Sequence, residues 1–231
     1  MVAVAGAGGK TTLVRRLAAE AHAAGLRVLL TTTTHMGMAE AWGPVFVESE
    51  GDVRDALATA LRKERRATLL GRQVRPDKVE GVSPERVDAL AGEVDLVLVE
   101  ADGARGRSLK MPAPHEPVVP ASTTLLLVVA ALDVLGHPIG PERVHRLDLM
   151  LAATGRAPGE PLDEAAVGLA LGDPAGYPAR RPAGGRIGLF LNKVEDARME
   201  AAAARIAAGL VPPYAFVAAG SARDGMARLW P

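Results

Sequence analysis

The sequence near its start reads Val2-Ala-Val-Ala-Gly6-Ala-Gly-Gly-Lys10-Thr-Thr12, an apolar run followed by clustered glycines and a Lys-Thr-Thr ending. The apolar run predicts a buried strand, and the glycines predict a tight loop. After Lys10, apolar residues recur at three- and four-residue spacing, which predicts an amphipathic helix. A strand, a glycine loop and a helix in this order are typical of a loop that binds the phosphates of a nucleotide.

Each residue type in this loop suits phosphate binding. Glycines let backbone N–H groups approach a phosphate, Lys10 adds a positive charge, and the hydroxyl of Thr11 suits Mg²⁺. The loop is shorter than the general pattern, because Val4 stands where a glycine is expected five positions before Gly9. The alternative is a plain glycine turn with its lysine in solvent. The predicted phosphate cradle is Gly6, Ala7, Gly8, Gly9, Lys10, Thr11 and Thr12.

Composition narrows the class of protein. The 231 residues are 48% hydrophobic, but only seven are aromatic, so we expect an aliphatic core. Lys plus Arg equals Asp plus Glu at 27 each, and this balance argues against nucleic acid as a partner. The absence of cysteine excludes disulfides and thiolate metal sites. No apolar stretch reaches the ~18 residues of a membrane span and no leader is evident, so we expect no membrane partner and a cytoplasmic protein.

Four consecutive threonines, Thr31 to Thr34, follow the apolar run that predicts a second strand. Open parallel sheets bind ligands at the carboxyl ends of their strands, so Thr33 and Thr34 are candidates for contact with Mg²⁺ or the terminal phosphate. A β-favouring extension of the strand explains the same threonines without a site.

Two carboxylates, Glu100 and Asp102, follow an almost continuous apolar run, Val94 to Val99. Side chains two residues apart on a strand share one face, so both can face the phosphate loop. Such acids hold Mg²⁺ in phosphate-binding enzymes, directly or through water. We therefore predict a metal site formed by Thr11 with Glu100 or Asp102.

The segment 103–120 is polar and rich in proline, and we predict a binding loop for a second substrate or a partner. Arg105, Arg107 and Lys110 suit anions, and Arg105 and Lys110 are candidates to stabilise charge on a transferring phosphate. His115-Glu116 alone is weak evidence for a metal. A rigid surface connection is the alternative.

The last third of the chain predicts loops that contact a nucleotide base. Asn192-Lys193-Val-Glu195 follows one predicted strand, and Ser221-Ala222-Arg follows the next, which we expect at 214–217. In guanine-nucleotide enzymes, a carboxylate at the fourth position accepts two guanine N–H groups, the lysine stem stacks on the base, and the Ser-Ala backbone caps it. Glu195 replaces the usual Asp, so the choice between ATP and GTP stays open.

Two further segments carry predictions. Residues 141–154 predict a helix containing His145 and Arg146, which either make an interhelical contact or reach the crevice. Residues 173–185 predict an exposed, mobile loop, because they are rich in proline and glycine.

Gly6-Ala-Gly-Gly-Lys-Thr-Thr12, Thr31-Thr-Thr-Thr34 and Val99-Glu-Ala-Asp-Gly-Ala-Arg-Gly-Arg107, with His115-Glu-Pro117, resemble the YqeC family. The likeness extends to Val144-His-Arg146 and Leu191-Asn-Lys193 and includes the shortened phosphate loop. The resemblance implies a P-loop NTPase linked to selenium or molybdenum cofactor biosynthesis, an accessory protein of selenium-dependent molybdenum hydroxylases. The implied partners are a molybdenum hydroxylase or its cofactor-maturation proteins.

These observations predict one α/β domain over residues 1–231, a three-layer P-loop fold with a mostly parallel sheet flanked by helices. The predicted activity is Mg²⁺-dependent binding and hydrolysis of ATP or GTP, with Lys10, Glu100, Asp102, Thr33, Thr34, Arg105 and Lys110 as the catalytic set. A small-molecule kinase that uses the same loop is one alternative. A non-hydrolysing, nucleotide-gated scaffold or cofactor carrier is another.

Overall fold

The computed structural model of the chain describes residues 1–48, 53–210 and 213–230, without the side chain of Met226. Apart from short 3₁₀ turns, its elements in chain order are β1 (Val2–Gly6), α1 (Lys10–Ala23), β2 (Val28–Thr32), β3 (Met36–Gly37), β4 (Val45–Val47), α2 (Arg54–Lys63), β5 (Arg66–Leu70), β6 (Gln73–Arg75), β7 (Lys78–Val79), α3 (Pro84–Leu90), β8 (Leu96–Glu100), β9 (Leu109–Lys110), β10 (Leu125–Ala131), β11 (Val144–His145), α4 (Leu147–Thr154), α5 (Glu164–Gly172), β12 (Arg186–Asn192), α6 (Ala197–Ala208), β13 (Val217–Ser221) and β14 (Met226–Trp230).

Nine strands form the central sheet, in the order β14-β13-β12-β10-β1-β8-β2-β5-β4. All neighbouring pairs are parallel except β13 and β14. The chain leaves β1 on one side for β2 and later adds β10 on the other side, so the strand order reverses at β1. Open sheets bind ligands at such a reversal. The predicted α/β fold with a mostly parallel sheet is therefore confirmed.

The sheet is buried on both faces, and this explains the uninterrupted apolar runs of its central strands. Alternate residues of β10 enter two cores: Leu126 and Val128 face one, Leu127 and Val129 the other. The first core contains buried side chains from α2 to α6, and the second contains those of α1. Helices therefore cover the two faces of the sheet, which confirms the predicted three layers.

Two small sheets lie outside the central one. β9 and β11 pair in parallel, and β3, β7 and β6 form an antiparallel sheet. Since the β9–β11 pairing joins Leu109 to Val144 and Lys110 to His145, it holds the 103–120 segment beside the start of α4.

Three local predictions need correction. The helix predicted over 141–154 begins only at Leu147, because Val144 and His145 pair with β9. The strand predicted at 214–217 is β13 (Val217–Ser221), since Tyr214 lies before it and is buried. The segment 173–185 is not wholly exposed, because it contains a 3₁₀ turn, Tyr177–Arg180, whose first side chain is buried. Its mobility stays a prediction.

Among the helices of the described residues, none combines the length and the apolar character needed to cross a bilayer.

Candidate functional site

A cavity of about 1130 Å³ opens at the carboxyl ends of β1 and β8. It is lined by Gly8, Gly9, Lys10, Thr11, Thr12, Thr34, His35, Met36, Gly37, Glu40, Asp77, Lys78, Glu100, Gly103, Ala104, Arg105, Gly106, Arg107, Glu116, His145, Arg146, Asp148 and Lys193. Most of the predicted phosphate loop and the polar part of the 103–120 segment therefore share one cavity.

The glycine loop connects the end of β1 to the start of α1, as its sequence predicts. Gly8 has a φ of +80°, and a Cβ there would lie 2.3 Å from Ala131 Cβ and 2.8 Å from Ser108 O. Any larger residue at this position would be strained and would clash. Within the described residues, the N–H groups of Gly8 and Gly9 donate to no protein acceptor although both residues line the cavity. The loop therefore presents free donors beside a helix N-terminus.

Lys10 is the first residue of α1, and its side chain turns toward the glycine loop. Its Nζ donates to Gly6 O at 2.9 Å and lies 3.4 Å from Asp102 Oδ1 and 3.8 Å from Glu100 Oε1. The side chain is only 6% exposed, yet the residue lines the cavity. The structure thus places one nearly buried cation between two carboxylates at the base of the cavity.

Glu100 and Thr11 place two oxygen groups of the kind that can bind a metal on the cavity wall. Thr11 Oγ1 donates to Glu100 Oε2 at 2.9 Å. Burial raises the pKa of Glu100, although the charge of Lys10 and the Thr11 hydrogen bond oppose that effect. A carboxylate and a hydroxyl are the ligand types that Mg²⁺ prefers. In the part of the chain that the structure describes, this site included, no group of three or more His, Asp or Glu could hold a metal.

Asp102 does not line the cavity, because it is enclosed by donors. Both of its carboxylate oxygens lie 3.1 Å from Gly6 N, and Oδ2 also accepts from Tyr177 Oη at 2.9 Å. Lys110 Nζ lies 3.0 Å from Oδ2. A carboxylate with this many partners is suited to hold the glycine loop in place.

The threonines after β2 divide into two groups. Thr31 and Thr32 are buried and donate to the main-chain oxygens of Leu69 and Glu100. Thr33 donates to Val118 O at 2.6 Å, and Thr34 lines the cavity. Of the two threonines predicted to contact Mg²⁺ or the terminal phosphate, Thr34 is therefore the one at the cavity wall.

The 103–120 segment places its cations at different depths. Arg105 and Arg107 line the cavity, whereas Lys110 is buried between Asp102 and Glu116. His115 is exposed and does not line the cavity.

Glu116 Oε2 accepts from Arg146 Nε at 2.9 Å and from Ala113 N at 3.1 Å. Its burial raises its pKa, but these hydrogen bonds and the charge of Lys110 outweigh burial and lower the pKa to about 2. Glu116 is therefore ionised at neutral pH.

The two loops predicted to contact a base meet at Asn192. Asn192 Nδ2 donates to Gly8 O at 2.7 Å, and Oδ1 accepts from Ala222 N at 2.9 Å. Ser221 and Ala222 are buried and do not line the cavity. Asn192 thus links the glycine loop to the turn after β13.

The other predicted base contacts lie nearer solvent. Lys193 lines the cavity, and its Nζ lies 2.7 Å from Asp133 Oδ2. Glu195 is exposed and outside the cavity lining.

Some residues of the site escaped sequence reasoning. Tyr177 lies in a segment that its composition marks as exposed, and nothing local indicates its bond to Asp102. The sequence left open whether His145 and Arg146 reach the crevice, and both line the cavity; the left-handed backbone of Arg146, φ +64° at the start of α4, is what no sequence pattern indicates. A further part of the lining also carried no signal in the sequence: His35, Met36, Gly37, Glu40, Asp77 and Lys78.

Comparisons with known proteins agree with the sequence resemblance. A family model described as "YqeC protein" matches residues 2–148, which include the glycine loop, Glu100, Asp102 and Arg146. The "Uncharacterized protein YqeC" of Escherichia coli (strain K12) is 36% identical over 196 residues, which cover 84% of this chain and 75% of that protein. On both findings, this chain belongs to the YqeC family.

Proposed function

We propose that the protein binds and hydrolyses a nucleoside triphosphate with Mg²⁺ at the start of α1. The observation that carries this proposal is the hydrogen bond from Thr11 to Glu100, formed beside Lys10 on the wall of the cavity. A hydroxyl, a carboxylate and a lysine grouped at a helix N-terminus are the parts that phosphoryl transfer requires.

The triphosphate is proposed to lie on the glycine loop. The free N–H groups of Gly8 and Gly9 and the positive end of the α1 dipole favour an anion there. Lys10 would contribute its charge to the outer phosphates. Its contacts with Glu100 and Asp102 keep the ammonium group at the base of the cavity.

Thr11 and Glu100 fit Mg²⁺ through their oxygen atoms, whereas Asp102 is already surrounded by donors. We therefore assign the metal to Thr11 and Glu100, directly or through water, and give Asp102 the task of positioning the loop. When bound, Mg²⁺ neutralises charge that develops on the phosphates.

Arg105 is proposed to stabilise charge on the terminal phosphate, since it lines the cavity and no ion pair with a described residue occupies it. Thr34 also lines the cavity and is proposed to contact Mg²⁺ or the terminal phosphate. Lys110 is buried, so we propose that it acts through Asp102 and Glu116 and does not touch the nucleotide.

The base is proposed to lie near Lys193 and the Ser221-Ala222 turn. Asn192 supports this position, because it fixes the turn to the glycine loop. Glu195, which is exposed, is the proposed acceptor for the N–H groups of the base, and its extra methylene leaves both guanine and adenine as candidates.

On the family resemblance, we further propose that hydrolysis serves maturation or cofactor insertion for a selenium- or molybdenum-dependent hydroxylase in the cytoplasm. A partner retained in only one nucleotide state would support this role.

Calorimetric titration of ATP and GTP, each with Mg²⁺, tests nucleotide binding. We expect one nucleotide to bind the native protein, and Lys10→Ala to weaken that binding about 100-fold or more, which is a loss of roughly 3 kcal/mol. Lys63→Ala, at the exposed end of α2, is the matched control and should bind as the native protein does. Release of inorganic phosphate then tests hydrolysis. The absence of binding at millimolar nucleotide would overturn the proposal.

A further inference from the structure

Backbone strain is concentrated in the cavity wall. Four non-glycine residues of the described chain have positive φ, and three of them, Arg105, Arg146 and Lys193, line the cavity. A non-glycine residue in this conformation costs roughly 1–3 kcal/mol and persists only where the surroundings fix it. All three residues are cations that line the cavity, and Lys193 is already paired with Asp133 Oδ2 at 2.7 Å, so the two arginines are the unusual positions considered further.

Arg105 belongs to a tight turn whose two central residues both have positive φ, +49° at Arg105 and +73° at Gly106. Arg107 N donates to Ala104 O at 3.0 Å and closes the turn. Turns of this type favour Asn or Gly at the first central position, so an arginine there has no conformational advantage.

Next to the turn, Ser108 O accepts a hydrogen bond from Ala131 N at 2.9 Å. A Cβ added to Gly8 would lie only 2.8 Å from this oxygen, so Ser108 and the glycine loop are in close contact. The turn is therefore fixed directly beside the predicted phosphate loop.

The arginines of this wall keep free donors. Within the described residues, Arg105 and Arg107 form no ion pair, and Arg107 makes one long hydrogen bond, 3.4 Å, to Arg105 O. Arg146 gives only Nε to Glu116, so its two terminal nitrogens have no described protein partner. Glu116 lies between Arg146 and Lys110, which together compensate its charge, and Asp148 is the other acid on this wall.

The cavity is also larger than a typical pocket for one small ligand. Its volume of about 1130 Å³ exceeds the roughly 300–1,000 Å³ typical of pockets for one ligand.

His145 lines the cavity between the turn and Arg146, and its side chain makes no hydrogen bond with a described residue. Burial lowers the pKa of His145, and the charges of Lys110 and Arg146 lower it further, so its ring is neutral at neutral pH.

We infer that the space between the 104–107 turn and Arg146 binds the carboxylate or phosphate group of a second substrate, next to the nucleotide. Arg107 and the free fork of Arg146 recognise the oxyanion, since guanidinium groups bind such groups through paired N–H donors. The inference rests on the proposed function, because the glycine loop must hold the nucleotide for the second molecule to lie beside it.

The test uses inorganic phosphate and succinate as separate probes, titrated into protein already saturated with Mg²⁺ and a non-hydrolysable triphosphate analogue. Under this condition phosphate cannot occupy the terminal position of the nucleotide. We expect at least one probe to bind with a Kd on the order of 1 mM, and Arg146→Gln and Arg107→Gln each to weaken it about tenfold or more. The probe that binds identifies the class of oxyanion. Arg156→Gln, which removes an arginine outside the cavity, should leave binding unchanged.

Arg107→Gln keeps the test valid if loss of Arg146 disturbs folding, because Arg107 has no carboxylate partner in the described chain. No binding of either probe, or equal weakening in Arg156→Gln, would overturn the inference. So would a loss of analogue affinity in both arginine variants as large as in Lys10→Ala, because the arginines would then belong to the nucleotide. If the proposed function were wrong and this inference were right, the results would differ. The analogue itself would not bind, while the probes would still bind Lys10→Ala and would not bind Arg146→Gln.

Discussion

The hydroxyl of Tyr177 donates to Asp102 Oδ2 at 2.9 Å, across 75 positions of the chain. Because Asp102 also accepts from Gly6 N, this bond connects the segment 173–185 to the glycine loop through a single carboxylate. Burial raises the pKa of Tyr177 well above its usual value, and the charge of Asp102 raises it further. The phenol therefore stays a donor at all physiological pH values.

Removal of this phenol should destabilise the protein. Tyr177→Phe takes away a hydrogen bond to a buried charge, so we expect the free energy of unfolding to fall by about 1.5–3 kcal/mol. Tyr214→Phe is the matched control, since Tyr214 is also buried but donates to a neutral acceptor, Leu171 O, at 2.9 Å. Its loss should cost only about 0.5–1.5 kcal/mol. Urea unfolding measures both, and equal losses would show that the charge of Asp102 contributes nothing to the Tyr177 bond.

We expect the ionised carboxylate of Glu100 to lower the stability of the folded protein, although the proposed metal site uses that carboxylate. Because burial raises its pKa, the native protein binds this proton more tightly than the unfolded chain, so Glu100 makes stability decline as pH rises above its ordinary value of 4.5. Glu100→Gln should remove that decline and be at least as stable as the native protein at pH 7.

In Glu100→Gln, the factor by which Mg²⁺ increases the affinity for the nucleotide should fall about 10–100-fold. Thermal unfolding over a pH series measures the stability, and calorimetry with and without Mg²⁺ measures the metal dependence. A variant that keeps the full Mg²⁺ effect would remove Glu100 from the metal site.

Glu116 should have the opposite effect on acid stability. Its pKa in the folded protein is about 2, against an ordinary value of 4.5, so its contribution is complete above about pH 4.5 and is lost as the pH falls toward 2. Glu116→Gln should therefore be less stable than the native protein at pH 7, with a difference that shrinks between pH 4.5 and 2. Glu64→Gln replaces an exposed carboxylate and serves as the control. A difference that does not change with pH would exclude the ion pairs of Glu116 as its cause.

Local sequence patterns predicted much of this fold. The apolar run before Gly6, the helix after Lys10 and the strand that ends at Glu100 lie where the sequence places them. Residues 197–208 are rich in alanine, which favours a helix, and they form α6. These elements follow from hydrophobic periodicity and from glycine, which act over a few residues.

Other features depend on contacts between distant segments. His145 belongs to a strand and not to a helix because β9 pairs with it, and β9 lies 35 residues earlier in the chain. Only the folded chain surrounds Asp102 with donors and leaves Glu100 on the cavity wall, although the two acids stand two positions apart. The sequence therefore predicted that a carboxylate would meet Thr11 but not which one.

Asn192 provides a test of the link between the two predicted nucleotide loops. Asn192 is 4% exposed and bonds to Gly8 O and to Ala222 N, so Asn192→Ala leaves a half-buried acceptor and a buried donor without these partners. We expect the free energy of unfolding to fall by about 1–3 kcal/mol. Asn192→Asp keeps the acceptor for Ala222 N but sets a carboxylate oxygen against Gly8 O, so it should destabilise the glycine loop through repulsion.

Both variants should weaken nucleotide binding, because Gly8 and the turn after β13 lose their common support. Urea unfolding and calorimetric titration of ATP and GTP measure the two effects. Gln73→Ala is the control, since Gln73 carries an exposed amide that donates to Pro76 O outside the cavity. If Asn192→Asp bound nucleotide as tightly as the native protein, the bridge would be a feature of the fold alone, and the base would have to be held without it.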